Sequence, residues 1–434
     1  MEKKSDGKRR FDYKWVIIGV SFLMVFTALG FCSSPKGQFI DPITETLGIG
    51  RTEYSVTDTL RYVATAVLNL FFGTLIAKFG PKKLAIAGFS ALIASSLCYA
   101  FATNVWVLYL AGALLGVGLA WTTTTMVGYV VNIWSKKNKG TIMGAILASN
   151  GLGGALALQI VRPITFNESG ATTYKDAYLL ISAILAVVLV LIIVLFRDKP
   201  KRIEDDSEKT VAAAKRGHVR DWSGIEFSVA VKRAYFYGAA ACVFCAGFLL
   251  QSVTGVAQVH MRDIGMDPAF VANVASVSSL LLAGSKFLAG FLYDRCGLRI
   301  TVSVCTVSGV IIMILLLLLT NSLEGQIMAV VYTVFAAIAL PLETVMLPII
   351  TAELFGERSY SKMLGIVVAI NTAGYAAGPI VMNICFDLFG SYNYAFIIAA
   401  TLMFIVVFGF QFVINAAKRE RKRVEAELES VASV

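Results

Sequence analysis

Twelve stretches of about 20 mostly apolar residues follow one another along the chain, each long enough to cross a bilayer as a helix. They fall at 15–36, 55–77, 84–103, 106–132, 140–161, 176–196, 233–257, 268–292, 300–320, 326–350, 362–386 and 392–416. A backbone in hydrocarbon must satisfy its own N–H and C=O groups, so this pattern commits the chain to a helical bundle. The longest polar interval, 197–232, separates six spans from six. The expected class is an all-α integral membrane protein whose twelve transmembrane helices form two six-helix bundles. Its expected parts are a tail at 1–14, a bundle at 15–196, a partly flexible charged linker at 197–232, a bundle at 233–416 and a tail at 417–434. The apolar run after MEKKSDGKRRFDYK is too long for a signal peptide and lacks a small-residue cleavage site, so it is expected to stay as the first span.

Only 15% of the 434 residues are charged, against about a quarter in soluble domains. The net charge of +10 sits in short clusters between spans, without the aromatic interleaving of a nucleic-acid face. With both termini in the cytosol, 31 of the 38 Lys and Arg residues lie on that side. That asymmetry is the positive-inside pattern and predicts a multi-pass protein of the cell membrane with cytosolic termini. The other seven are Lys36, Arg51, Arg61, Arg162, Lys175, Arg262 and Lys286. Arg51, Lys175 and Arg262 belong to outer loops, and Arg162 can reach the headgroups.

Lys286 interrupts the apolar run LLLAGSKFLAGF. It lies eight residues before Asp294, hence roughly 12 Å into a ~30 Å core. A central lysine costs about 2.5–3.5 kcal/mol to insert, so it needs a partner or a task. Two readings stand: an internal ion pair with Glu343, the one acid well inside a span, or an anion-binding cation in a water-filled cavity. Glu343 lies in IALPLETVMLPIIT between Pro341 and Pro348, where a broken backbone is tolerated if it lines a cavity. It is expected to serve as the proton-coupling site or as the resting counter-ion of Lys286, roles that one proton can link. Arg61 follows Asp58 by three residues and can pair with it on one helix face. Lys36 can contact substrate or snorkel to headgroups. Trp121, Tyr129, Gln251 and Thr254 are candidate lining residues, each equally suited to packing.

Other chemistry has little material. No G-x-x-x-x-G-K-[ST] loop occurs, which argues against direct ATP drive. His218 lies in the linker and His260 stands alone, so neither an enzyme nor a metal or cofactor site is expected. Cys242 and Cys245 form a C-x-x-C within an apolar span, where packing is favoured over metal or redox work. Asn167-Glu-Ser169 fits a glycosylation acceptor on an outer loop.

Two loops repeat. Gly73–Leu84 reads GTLIAKFGPKKL and Gly290–Thr301 reads GFLYDRCGLRIT, each between the second and third span of its half. They resemble the G-x-x-x-D-R/K-x-G-R/K loop of the major facilitator superfamily, although Ala77 stands where the first copy would carry its acid. A narrower resemblance, to monocarboxylate transporters and the oxalate/formate antiporter group, rests on three stretches. These are Trp134-Ser-Lys-Lys-Asn-Lys-Gly140 with Gly144 and Ser149-Asn-Gly-Leu-Gly-Gly154, Gly116-Val-Gly-Leu-Ala-Trp121, and Ser34-Pro-Lys36. That resemblance implies a secondary transporter and puts Lys286 where relatives carry a carboxylate-gripping arginine. It also puts Leu282 in place of a proton-relay aspartate and Asn371 in place of a second cation, which favours a monocarboxylate over a dianion. The expected function is alternating-access transport of small organic anions, coupled to a proton or counter-anion. A drug or cation exporter using Glu343 is the alternative.

Overall fold

A computed structural model of the chain describes residues 13–135, 137–165, 173–198 and 224–432. The tail 1–12, Lys136, the Asn167–Ser169 acceptor and linker residues 199–223 with His218 lie outside the described residues.

Of fourteen helices, thirteen build the twelve spans and the short α2 lies between spans 1 and 2: α1 Lys14–Ala28, α2 Ile40–Leu47, α3 Arg51–Ala100, α4 Val105–Thr122, α5 Thr124–Trp134, α6 Lys139–Thr165, α7 Tyr174–Leu195, α8 Ala234–Asp263, α9 Pro268–Cys296, α10 Leu298–Leu317, α11 Leu323–Ala339, α12 Met346–Phe355, α13 Tyr360–Phe389 and α14 Asn393–Ala432. A single helical turn, Phe227–Ala230, precedes α8. The 50-residue α3 is two spans, because Gly80 leaves the helical region at φ 79° and reverses the chain. Only glycine takes that φ without strain, and Pro81 follows at the first position of the next helix. At the opposite end, polar caps fix the starts: Asn104 accepts from Val107 N–H, Asp267 from Phe270 N–H, and Asp176 reaches back to Thr173. The even number of spans puts the two ends of the described chain, Tyr13 and Ala432, on one side of the molecule, here called the termini end.

Three spans are broken. Span 1 stops at Ala28 rather than at residue 36, and Lys36 falls in a 3₁₀ segment, Ser34–Phe39. A tertiary contact and a proline bound it: Gly30 meets the backbone of Gly153 so closely that a Cβ would sit 2.6 Å from its carbonyl carbon, and Pro35 cannot continue an α-helical ladder. Span 4 breaks at Thr123 (φ −116°, ψ −135°) between α4 and α5. Span 10 changes from α11 to a 3₁₀ turn at Leu340–Glu343 before resuming as α12, as its prolines led one to expect. The last span runs on past residue 416 as helix to Ala432, and Glu420 ties it to Arg233 at 2.8 Å.

Two apolar cores form. One lies wholly within 17–196; the other fills the second half and takes in Val25, Val127, Val131 and residues near Met143 from the first. The halves meet where α6 packs on α9 and where α3 packs on α13. Glycines make the first contact close. A Cβ on Gly140 would lie 2.5 Å from the Gly290 carbonyl oxygen, and one on Gly151 would lie 2.6 Å from the Ala283 Cβ. Cys242 is likewise a packing residue, set against Gly409.

Candidate functional site

Lys286 projects from α9 into the interior and is only 4% exposed. Its ammonium donates to Asn150 Oδ1 on α6 at 3.2 Å, a contact from one half of the molecule to the other. Glu343 closes the 3₁₀ break of span 10, which packs against α9, and is 5% exposed. The two charges act on each other, yet among the described residues they form no direct ion pair. Glu343 Oε1 is buried with no hydrogen-bond partner among them. A buried cation with a neutral partner and a buried acid with an unused oxygen are two unfinished groups on elements that pack together. Such groups are costly in a membrane interior, and they mark places where a ligand completes the bonding.

Tyr375 on α13 joins this region to the other half. Its hydroxyl donates to the Glu343 backbone carbonyl at 3.4 Å, and its ring meets Tyr62 of α3 edge-on at 6.3 Å. The next residue, Arg61, stacks its guanidinium 4.4 Å from the Tyr62 ring. Asn150, Tyr375 and Tyr62 were not singled out by sequence reasoning. Asn150 alone had a visible signal, a polar amide in the Ser149–Gly154 stretch.

Arg61 belongs to a second cluster nearer the end opposite the termini. Asp58 pairs with it as expected, at 3.3 Å, and also accepts from Lys36 at 2.7 Å. Lys36 donates to Thr57 Oγ1 at 3.0 Å and lies 5.6 Å from the rings of both Tyr54 and Tyr99. It is therefore buried in a cage rather than turned to the headgroups. Arg61 also donates to Ser33 at 2.8 Å, which pins the chain after α1.

The remaining predicted residues do not gather at Lys286. Tyr129 lines a separate cavity of ≈ 520 Å³ at the termini end, with Asn132, Glu357 and Tyr360. Lys139 joins Asn132 at 2.8 Å and Glu357 at 3.3 Å beside that cavity. Asn371 donates to the Val243 carbonyl at 3.2 Å and seals α13 onto α8. Thr254 bonds its own helix, at Leu250 O. Trp121 sits at the end of α4 just before the Thr123 break, with its indole N–H buried and unpartnered among the described residues. Gln251 is half-buried on α8.

The two repeated loops differ in what they do. Asp294 accepts from Gly140 N–H (3.0 Å), Thr141 N–H (2.7 Å) and the Thr141 hydroxyl (2.6 Å). It thus caps the start of α6 in the other half, where free N–H groups and the helix dipole favour an anion. Ala77 offers nothing equivalent; Asp198 instead accepts from Lys82 N–H within the first half at 2.8 Å. One latch, not two, closes the termini end through these loops. Asp294→Asn is expected to weaken that closure by about 1–2 kcal/mol, a 5- to 30-fold shift in the open–closed equilibrium. Faster labelling of a cysteine placed at Ser361 would report it, and an unchanged rate would remove Asp294 from gating.

Twelve spans, broken helices at a polar midpoint and a contact between halves made on α6–α9 and α3–α13 describe a transporter architecture. The sequence profile of the Major Facilitator Superfamily matches residues 16–260 and again 239–433. The chain belongs to the major facilitator superfamily. Its fold is that of a superfamily transporter: FucP in its outward conformation superposes with a TM-score of 0.68 at 15% identity, over 92% of this chain and 99% of that one. Among curated superfamily relatives, the uncharacterized MFS-type transporter YcxA of Bacillus subtilis is 24% identical over 66% of each chain. Multidrug resistance protein 2 of Bacillus subtilis is 23% identical over 79% of this chain and 82% of its own length. Monocarboxylate transporter 13 of Bos taurus is 26% identical over 76% and 72%. The chain is accordingly a multi-pass membrane transporter of small solutes, not an enzyme.

Proposed function

We propose that this transporter moves small organic anions, foremost monocarboxylates, across the cell membrane by alternating access, with the carboxylate held on Lys286. One observation carries the reading: the Lys286 ammonium is buried at the junction of the halves with only a neutral amide for a partner. A buried cation hydrogen-bonded only to a neutral amide among the described residues is stabilised by an anionic ligand. The likeness to monocarboxylate transporter 13 supports the same class. Rocking the two halves about α6–α9 and α3–α13 exposes Lys286 to one face and then the other. With the termini cytosolic, the Asp294 latch closes the cytosolic side. Glu343 is the group proposed to couple a proton to this cycle, because it is a buried carboxyl whose Oε1 accepts no hydrogen bond among the described residues. Arg61 and Lys36, held by Asp58, give the opposite end a positive bias that attracts anions. Tyr129 lines the cavity at the termini end, apart from Lys286, and Asn371 holds α13 to α8.

The cation-exporter reading keeps one support of its own, the unpartnered Glu343 oxygen, together with the likeness to multidrug resistance protein 2. Counterflow in proteoliposomes separates the two. Vesicles preloaded with unlabelled carboxylate are expected to accumulate labelled carboxylate, while vesicles loaded with organic cations accumulate none. Accumulation of cations alone would overturn the anion reading.

A further inference from the structure

Lys286 and Glu343 support competing readings only if each is considered alone; together they form two walls of one site. Lys286 reaches it from α9, with Asn150 of α6 beside it, and Glu343 reaches it from the 3₁₀ break that packs on α9. The turn that carries Glu343 packs against α9, yet the two side chains form no direct ion pair among the described residues. Glu343 is 5% exposed and its Oε1 accepts no hydrogen bond among the described residues, although the Tyr375 side chain lies beside its carboxyl, while Lys286 spends one of its three N–H donors on Asn150.

Charge balance then decides what fits. An ionised Lys286–Glu343 pair is neutral overall. A plain carboxylate makes the site net negative inside the membrane and meets the Glu343 oxygen with like charge unless a proton comes with it. A neutral amine fails to answer Lys286. A molecule carrying both a carboxylate and an ammonium answers each wall with its opposite and leaves the site neutral, which is the cheapest filled state in a low-dielectric interior. Asn150 adds to this: its Oδ1 orients Lys286, and its amide N–H groups remain as donors for the carboxylate end.

From this we infer that the preferred ligand class is the zwitterionic amino carboxylate, bound with its carboxylate on Lys286 and Asn150 and its ammonium on Glu343. The inference rests on the carboxylate role proposed for Lys286 and adds the second contact. Broken span 10 supplies that contact: Glu343 ends its 3₁₀ turn, with the backbone carbonyl held by Tyr375.

The test is ligand-induced thermal stabilisation of the purified full chain at neutral pH, read as apparent Kd. The probes are matched triplets: glycine, β-alanine and γ-aminobutyrate; acetate, propionate and butyrate; methylamine, ethylamine and propylamine. At least one amino carboxylate is expected to bind ten-fold or more tighter than both of its one-charge analogues. In Glu343→Gln that preference is expected to fall to within about three-fold while carboxylate binding persists. If Glu343→Gln does not fold, Glu343→Asp replaces it and should lower the preference without abolishing it. Plain carboxylates that bind as well as their amino analogues would overturn the inference and leave the anion-transport reading standing. A preference for amino carboxylates that survives at full size in the Glu343 variant would also overturn it. Binding of amines alone would overturn both.

Discussion

Asp58→Ala is expected to cost the fold about 3 kcal/mol, measured as loss of thermal stability of the detergent-solubilised protein. The residue compensates two cations at once. Lys36 and Arg61 have side chains only 8% and 11% exposed, and both direct their charge at Asp58 Oδ1. Removing the shared anion leaves two like charges close together in a poorly solvated region, the situation that makes breaking a buried pair more damaging than replacing it. The figure is at the low end of the range for such losses because the Asp58 side chain is 41% exposed and water relieves part of the penalty. Rescue gives the argument a second handle. Adding Lys36→Met to Asp58→Ala removes one orphaned cation and is expected to recover more than half of the loss. A single variant that melts within about 0.5 kcal/mol of wild type would mean that Thr57, Ser33 and the tyrosine rings hold the cations unaided.

Gly290→Leu is expected to abolish transport while leaving the protein folded. A side chain there collides with the carbonyl of Gly140 in the facing helix, backbone against side chain, with no flexible group to yield. The facing glycine has the same problem in reverse, so the contact cannot be relieved by a rotamer change. The penalty falls on one conformer only, that in which α6 and α9 touch at the termini end. A cost of about 2–3 kcal/mol moves the equilibrium by about 30- to 150-fold toward the form open at that end. A cysteine at Ser361, beside the termini-end cavity, would then label faster in Gly290→Leu than in the parent. Normal transport in this variant would show that the close approach is dispensable.

The spans were legible because hydropathy is a property of each segment by itself. Lys286 and Glu343 stood out for the same reason: a charge inside an apolar run needs no partner to be noticed. What the sequence hid is pairing across distance. Asn150 is 136 residues from Lys286, and Asp294 caps a helix 153 residues earlier. Neither relation leaves a local trace. The break of span 4 was hidden differently. Thr122 through Thr125 read as part of a continuous apolar helix, but Thr125 bonds Asn69 on α3 at 2.8 Å while Thr122 and Thr123 bond back to carbonyls of α4. Tertiary contacts thus redirect a chain whose local preference is helical. Lys36 was misplaced because Gly30 and Pro35 end span 1 early, and the side chain then folds inward to an acid 22 residues on. In the first-copy loop Ala77 offers no acid, and Asp198 accepts from Lys82 N–H within the first half instead.

The most direct test of the account is carboxylate-induced thermal stabilisation of the wild-type protein and of Lys286→Ala side by side. A charge-assisted bond to a buried ammonium contributes about 1.5–3 kcal/mol, so the variant is expected to bind the same carboxylates roughly 10- to 150-fold more weakly. The variant itself should fold, because alanine removes an insertion penalty and the hydrogen bond lost is the single one to Asn150. Carboxylates that stabilise wild type and no longer stabilise Lys286→Ala are the predicted result. Carboxylate stabilisation of equal size in both proteins would contradict it and reduce Lys286 to a structural residue.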